Sequence, residues 1–95
     1  MQRKIFRTSD GAALSYISAG QGKSIVMLHG WSQSAEQFKY QIPAFAKHYQ
    51  VIAIDLRGHG ESEKVPFGYR ISRLAQDVRE VINIQVELQN ATNHF

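Results

Sequence analysis

Short apolar runs alternate with polar, glycine-containing breaks along this chain, and the period of the apolar positions changes part-way. Residues 4–7 alternate charged with apolar side chains, and residues 12–18 alternate apolar with small polar ones. Period two predicts half-buried strands. Between them Ser9-Asp10-Gly11 predicts a tight turn, because Asp-Gly accommodates positive φ. The two strands are therefore expected to pair as an antiparallel hairpin, with Ala12, Leu14 and Tyr16 on one face. A loop with two glycines covers 19–23. Ser24–Leu28 and residues 51–54 are apolar without alternation, the pattern of strands buried on both faces.

Between those two runs, Ser34-Ala35-Glu36-Gln37 has the spacing of a capping box, with Ser34 set to accept from the Gln37 amide. Ala35, Phe38 and Ile42 follow at helical spacing. Pro43 is expected to end or kink that helix, with Phe45 and Ala46 in a short second piece. A polar loop with Pro66 and Gly68 as breakers covers 61–68. From about 69–72 the period becomes helical. Ile71, Leu74, Ala75, Val78, Val81 and Ile82 form one apolar stripe, and Arg70, Arg73, Gln76, Asp77 and Glu80 fall on the other faces. The pattern weakens after Ile84, and 88–95 follows neither period. A strand, crossover, strand unit pairs in parallel. The expected fold is thus mixed α/β: an antiparallel hairpin, then strand, helix, strand, helix.

Composition narrows the class. Ninety-five residues allow one domain or a piece of one. The apolar fraction of 43% and charged fraction of 20% are those of a globular protein. The net charge of +3 is spread over Arg3, Lys4 and Arg7 near the start and Arg70, Arg73 and Arg79 on the predicted helix. They read as scattered solvated charges, without the basic stripe and interleaved aromatics of a nucleic-acid binder. The absence of cysteine excludes disulfides and thiolate chemistry. No apolar run has signal-peptide or membrane-span length, and the expected location is cytoplasmic.

Three candidate chemistries weaken on inspection. Gly20-Gln21-Gly22-Lys23-Ser24 ends like a phosphate-binding loop, but it lacks the first glycine and runs into a strand instead of a helix. Gly30-Trp31-Ser32-Gln33-Ser34 is one residue away from Gly-x-Ser-x-Gly. Ser32 is therefore a candidate nucleophile, although Ser34 carries a Cβ where the strained elbow needs glycine. Asp55, Arg57 and His59 suggest an acid/base or metal site, and His29 and His59 fall near strand ends on one side of the sheet, but no third ligand is placed by spacing, and His48 and His94 read as superficial. No metal and no cofactor are expected.

The wording of several segments adds a family. Phe6-Arg7-Thr8-Ser9-Asp10-Gly11, His29-Gly30-Trp31, residues 38–42, the run from Val51 through Asp55-Leu56-Arg57-Gly58-His59-Gly60-Glu61-Ser62, Gly68-Tyr69 and residues 74–78 agree in order and spacing over about 4–81. Together they closely resemble the N-terminal portion of an α/β-hydrolase, in its esterase, haloperoxidase and epoxide-hydrolase-like branch. The resemblance implies that the Trp31 backbone N–H donates to the oxyanion of a tetrahedral intermediate. It implies that Gly30, Trp31 and Ser32 border a small ester-like substrate. It also implies a structural loop in which Asp55 and Arg57 form tying hydrogen bonds, Gly58 and Gly60 permit a sharp course, and His29 and His59 are packed histidines.

In that family the nucleophile, acid and histidine all follow the region covered by this chain, and 88–92 would approach a fifth strand. One partial domain, 1–95, ending before the nucleophile elbow is therefore expected. Three readings follow: a truncated hydrolase inactive alone, a binding or assembly module completed by another chain, and a small esterase using Ser32. Without a fifth strand, Ser24–Leu28 would leave one edge unpaired, which predicts self-association.

Overall fold

The structure is a computed structural model and describes residues 1–93. Four strands form one mixed sheet: β1 (Gln2–Arg7), β2 (Ala13–Ala19), β3 (Ser24–Leu28) and β4 (Gln50–Ile54), in the order β1-β2-β4-β3. β1 and β2 form the expected hairpin, with Gln2 opposite Ser18 and Arg7 opposite Ala13. The Thr8 N–H donates to Ala12 O at 2.8 Å and closes its turn. β2 pairs antiparallel with β4, and β3 pairs parallel with β4.

Strand periodicity sorts the core into two layers. Ile17, Ala19, Val51 and Ala53 pack with Ala35 and Ile42 on one face, with Met27 and Phe38 against them. Leu14, Tyr16, Ile52, Ile54 and Val81 form the other, joined by Phe6, Val26 and Val78. The first layer is covered by a 3-10 helix, Ala35–Phe38, and by α1 (Ile42–Phe45). The second is covered by α2 (Ile71–Asn93). β4 has a strand on each side and helices on each face, so all five of its residues are buried.

Several expectations are corrected. β3 is not buried on both faces: Ser24 and Leu28 are exposed and the three residues between are half-buried. It sits at the edge of the sheet, where one strand neighbour and short helices cover less of it. Ser34 accepts from the Glu36 N–H at 3.3 Å, not from Gln37, whose N–H bonds Ser34 O at 3.2 Å. The shorter loop is that of a 3-10 turn, not of an α-helical capping box. Pro43 stands in the first turn of α1 and so begins a helix instead of ending one. Residues 88–93 continue α2 and do not turn towards a strand; His94 and Phe95 lie outside the described residues.

The buried stripe of α2 is also rotated from the expected one. Asp77, Val81 and Gln85 are buried, at i, i+4 and i+8, while Ile71 is 80% exposed and Ala75 is exposed. Two polar residues occupy the core-facing line because each finds buried partners there. Ile52→Ala is accordingly expected to destabilise the chain by about 2–5 kcal/mol. Ile71→Ala should stay within about 0.5 kcal/mol. Urea denaturation of both variants measures the difference, and equal losses would contradict this helix orientation.

Candidate active site

The parallel strands β3 and β4 end side by side, and the chain leaves each through a tight turn. After β3, the Gln33 N–H donates to Gly30 O at 3.1 Å, and Gln33 Oε1 accepts the Gly30 N–H at 3.1 Å. Ser32, at the third position of this turn, has φ 68°, the one positive φ among the described non-glycine residues. Positive φ at that position alone is the geometry of a type II turn. Neither bond uses the Trp31 N–H.

His29 joins the two strand ends. Its Nε2 accepts the Leu56 N–H at 2.9 Å, and its Nδ1 lies 2.7 Å from Gly30 O. A backbone N–H only donates and a carbonyl only accepts, so the ring is neutral with its proton on Nδ1. His59 Nδ1 donates to Arg57 O at 2.9 Å. The ring of Trp31 stands edge-on to His59 at 4.5 Å and to Tyr69 at 6.2 Å. Trp31, Ser32, Gly58, His59 and Tyr69 line an open cavity of about 420 Å³. Trp31 is 66% exposed there. Both histidines direct Nδ1 at backbone carbonyls, and neither bonds the Ser32 hydroxyl.

Two buried ions hold the loop after β4. The Asp55 carboxylate accepts the Ala35 N–H at 2.7 Å, the Glu61 N–H at 3.1 Å and Arg3 Nη1 at 2.8 Å. One carboxylate thus ties the loop to the 3-10 helix and to β1. Arg3 also reaches Glu36 and Glu61, so it is not the solvated charge the sequence suggested. Gly60, at φ 51°, lies so close to Asp55 that a Cβ would collide with the carboxyl group. At Gly58, φ 76°, a Cβ would lie 2.5 Å from the Tyr69 hydroxyl.

Arg57 is wholly buried. Its Nε and Nη2 donate to Asp77 at 3.0 and 2.9 Å, its Nη1 and Nη2 donate to Asp10 at 2.8 and 2.7 Å, and Nη1 also reaches Phe67 O at 3.3 Å. All five N–H donors of the guanidinium are used. Asp77, which the sequence placed on an outer face, is the buried partner, and Arg73 adds a bond to it at 2.9 Å. Bonds from Arg57, then from Thr8, hold the Asp10 carboxyl well below the usual carboxylate range. The bonds to Asp10, against the opposing effect of burial and aided by Asp77, raise Arg57 above its ordinary value.

A family profile described as the alpha/beta hydrolase fold matches residues 23–91. This chain belongs to that family. It is 45% identical over 74 residues to a soluble epoxide hydrolase of Corynebacterium sp. (strain C12), covering 78% of this chain and 26% of that protein. It is 34% identical over 89 residues to a non-heme chloroperoxidase of Kitasatospora aureofaciens, covering 93% of this chain and 32% of that protein. Among solved structures, the epoxide hydrolase CorEH superposes with a TM-score of 0.83 at 39% identity, over 88% of this chain and 29% of the other. An esterase from Exiguobacterium antarcticum also gives 0.83, at 32% identity, over 90% and 32%. The chain spans about a fifth to a third of the length of the curated relatives it matches, and corresponds to an N-terminal portion of the α/β-hydrolase fold. No described helix is long and apolar enough to cross a membrane.

Within this hydrolase unit, the structure brings Trp31, Ser32, Gly58 and His59 to one cavity and keeps Asp55 and Arg57 buried behind it. Residue-level reading missed Tyr69 as a wall of that cavity, and missed the supports Arg3, Asp10 and Asp77. Their only sequence signals were a family segment and unremarkable charges.

Acid should loosen this support. The folded chain holds Asp10 below its unfolded value. Burial pushes Glu80 up, but bonds from Ser9 and Gln76 and the charge of Arg73 outweigh it and leave a net lowering. Both groups bind protons less readily folded than unfolded. Their contribution is complete above the unfolded range near pH 4 and is lost as pH falls through the lower folded values. The urea midpoint is expected to fall on acidification from about pH 5 to about pH 2. Asp10→Asn should start lower and fall less steeply. A midpoint unchanged by acid would contradict the network.

Proposed function

We propose that this chain supplies the oxyanion-turn side of a hydrolase site acting on a small ester- or epoxide-like molecule. The single observation that carries the reading is the Gly30–Gln33 turn, whose hydrogen bonds leave the Trp31 N–H unused at the rim of an aromatic-walled cavity. Such an N–H gains value when negative charge develops on a substrate oxygen, since it is already oriented and costs no reorganisation. The Trp31 and Tyr69 rings would border the apolar part of the substrate. Relatives that are named as an epoxide hydrolase and an esterase support the substrate class.

The 95-residue chain by itself is proposed to be inert. Among the described residues no histidine bonds the Ser32 hydroxyl, and an unassisted serine is a weak nucleophile at neutral pH. Hydrolysis of 4-nitrophenyl acetate by the chain is therefore expected to match that of its Ser32→Ala variant. Turnover lost in that variant would instead favour the small esterase. In a chimera that replaces the matched segment of the Corynebacterium epoxide hydrolase with this one, Trp31→Pro removes the N–H and should lower kcat about 100- to 1000-fold. Trp31→Phe keeps the N–H and should mainly change substrate preference. Equal losses from the two would contradict the oxyanion role.

A second reading, assembly through β3, is favoured by its position. Among the described residues the strand is paired on one side only, carries no charge, and leaves Leu28 47% exposed. Unprotected edges recruit other strands. Sedimentation velocity is expected to show concentration-dependent association that Leu28→Lys weakens. A monomer at every concentration would count against it.

A further inference from the structure

A second cavity, of about 190 Å³, lies at the opposite end of the sheet, between the last turns of α2 and the strand ends bearing Gln2, Ser18 and Gln50. β3 and β4 run in parallel towards the Gly30–Gln33 turn, so Gln50, at the start of β4, is remote from it. The wall includes Lys4, Gln50, Gln85, Leu88 and Gln89, and among the described residues no carboxylate.

The hydrogen bonds turn this wall into a set of donors. Gln85 Oε1 accepts from Lys4 Nζ at 3.1 Å and from the Tyr16 hydroxyl at 2.9 Å. Gln89 Oε1 accepts the Gly22 N–H at 2.7 Å, and Gln50 Oε1 accepts from Ser24 Oγ at 3.2 Å. An ammonium and a backbone N–H can only donate, so the amide orientations of Gln85 and Gln89 are set by their partners. All three amide oxygens are engaged, while none of the three amide nitrogens donates to a described residue. Gln50 and Gln85 are only 2% and 4% exposed. Among the described residues no fully enclosed side-chain polar atom lacks a partner, so these nitrogens are not enclosed, and all three side chains belong to the cavity wall.

Donors on nearly buried side chains are costly to leave without acceptors. Three amide groups and one ammonium, with no acid competing for them, suit an oxyanion, because charge-assisted bonds are the stronger kind. The volume equals that of about six waters, the size of a four-carbon acid. We infer that this cavity binds a small carboxylate- or phosphate-bearing molecule through Lys4 and the amide nitrogens of Gln50, Gln85 and Gln89. None of these residues lines the Trp31 cavity, so the inference stands apart from the hydrolase reading.

Succinate and inorganic phosphate, titrated separately into the nitrogen-15-labelled 95-residue chain at constant ionic strength, are the probes. Neutral succinamide and chloride are the controls. At least one probe is expected to shift the side-chain amide resonances of Gln50, Gln85 and Gln89 saturably, leaving the Trp31 indole resonance in place. Saturation by succinate alone identifies a carboxylate ligand, and by phosphate alone a phosphate group. Lys4→Met should weaken binding at least tenfold. If that variant does not fold, Gln89→Leu, whose amide carbonyl serves only Gly22, should weaken it at least threefold. The inference is overturned by shifts that succinamide or chloride reproduces, by unchanged affinity in the folded variant, or by no saturable shift with either probe.

Discussion

A single guanidinium, Arg57, bears on more of this molecule than its size suggests. It is wholly buried and spends its five N–H groups on three separate segments: the hairpin turn through Asp10, the loop after β4 through Phe67 O, and α2 through Asp77. A buried charge is tolerable only when it is paired and its hydrogen bonds are completed. Removing one member of such a pair typically costs about 3–5 kcal/mol, because the other is left uncompensated. In so small a domain that is a large share of the whole stability. The course of α2 over the sheet therefore depends on Arg57 as well as on Val81 and Val78.

Asp55 does for the cavity what Arg57 does for the helix. It has one oxygen on the 3-10 helix and the other on Glu61 and Arg3. Ser62 completes the strap by donating to Asp55 O at 2.6 Å and accepting the Ser15 N–H at 2.8 Å. The loop is held from beneath by buried charges and from the side by β2, with Gly58 and His59 turned to the cavity. His29 then locks this loop to the turn after β3. The oxyanion role we propose depends on a donor fixed before reaction, and the residues that hold this turn and loop in place do not line the cavity.

The same construction explains where the unit is open. β4 is satisfied on both sides and both faces, while β3 has a partner on one side only. The Trp31 cavity adjoins the end of that edge strand, and the matched segment makes up only about a fifth to a third of the relatives. A fully covered strand and an exposed one thus lie side by side in one parallel pair, and the exposed one leads into the candidate site.

Local sequence determined the strands, the Asp-Gly turn, the mixed α/β order and the neighbourhood of Trp31, because each rests on short-range properties: period-two alternation, apolar runs and glycine conformations. Of the residues that the family segments set beside a substrate, Trp31 and Ser32 line the cavity and Gly30 does not. Tertiary structure decided the rest. Asp77 read as an outward residue because an acid on a helix is usually solvated; only Arg57, twenty positions away, makes its burial tolerable. Ile71 read as core because its period fits, yet the sheet lies beneath a line one position over. Ser24–Leu28 read as doubly buried because hydrophobicity reports what a strand could bury, whereas burial depends on which strands and helices stand beside it. The donors around Gln50, Gln85 and Gln89 had no signal at all, since what an amide offers is decided by which of its two ends is already taken.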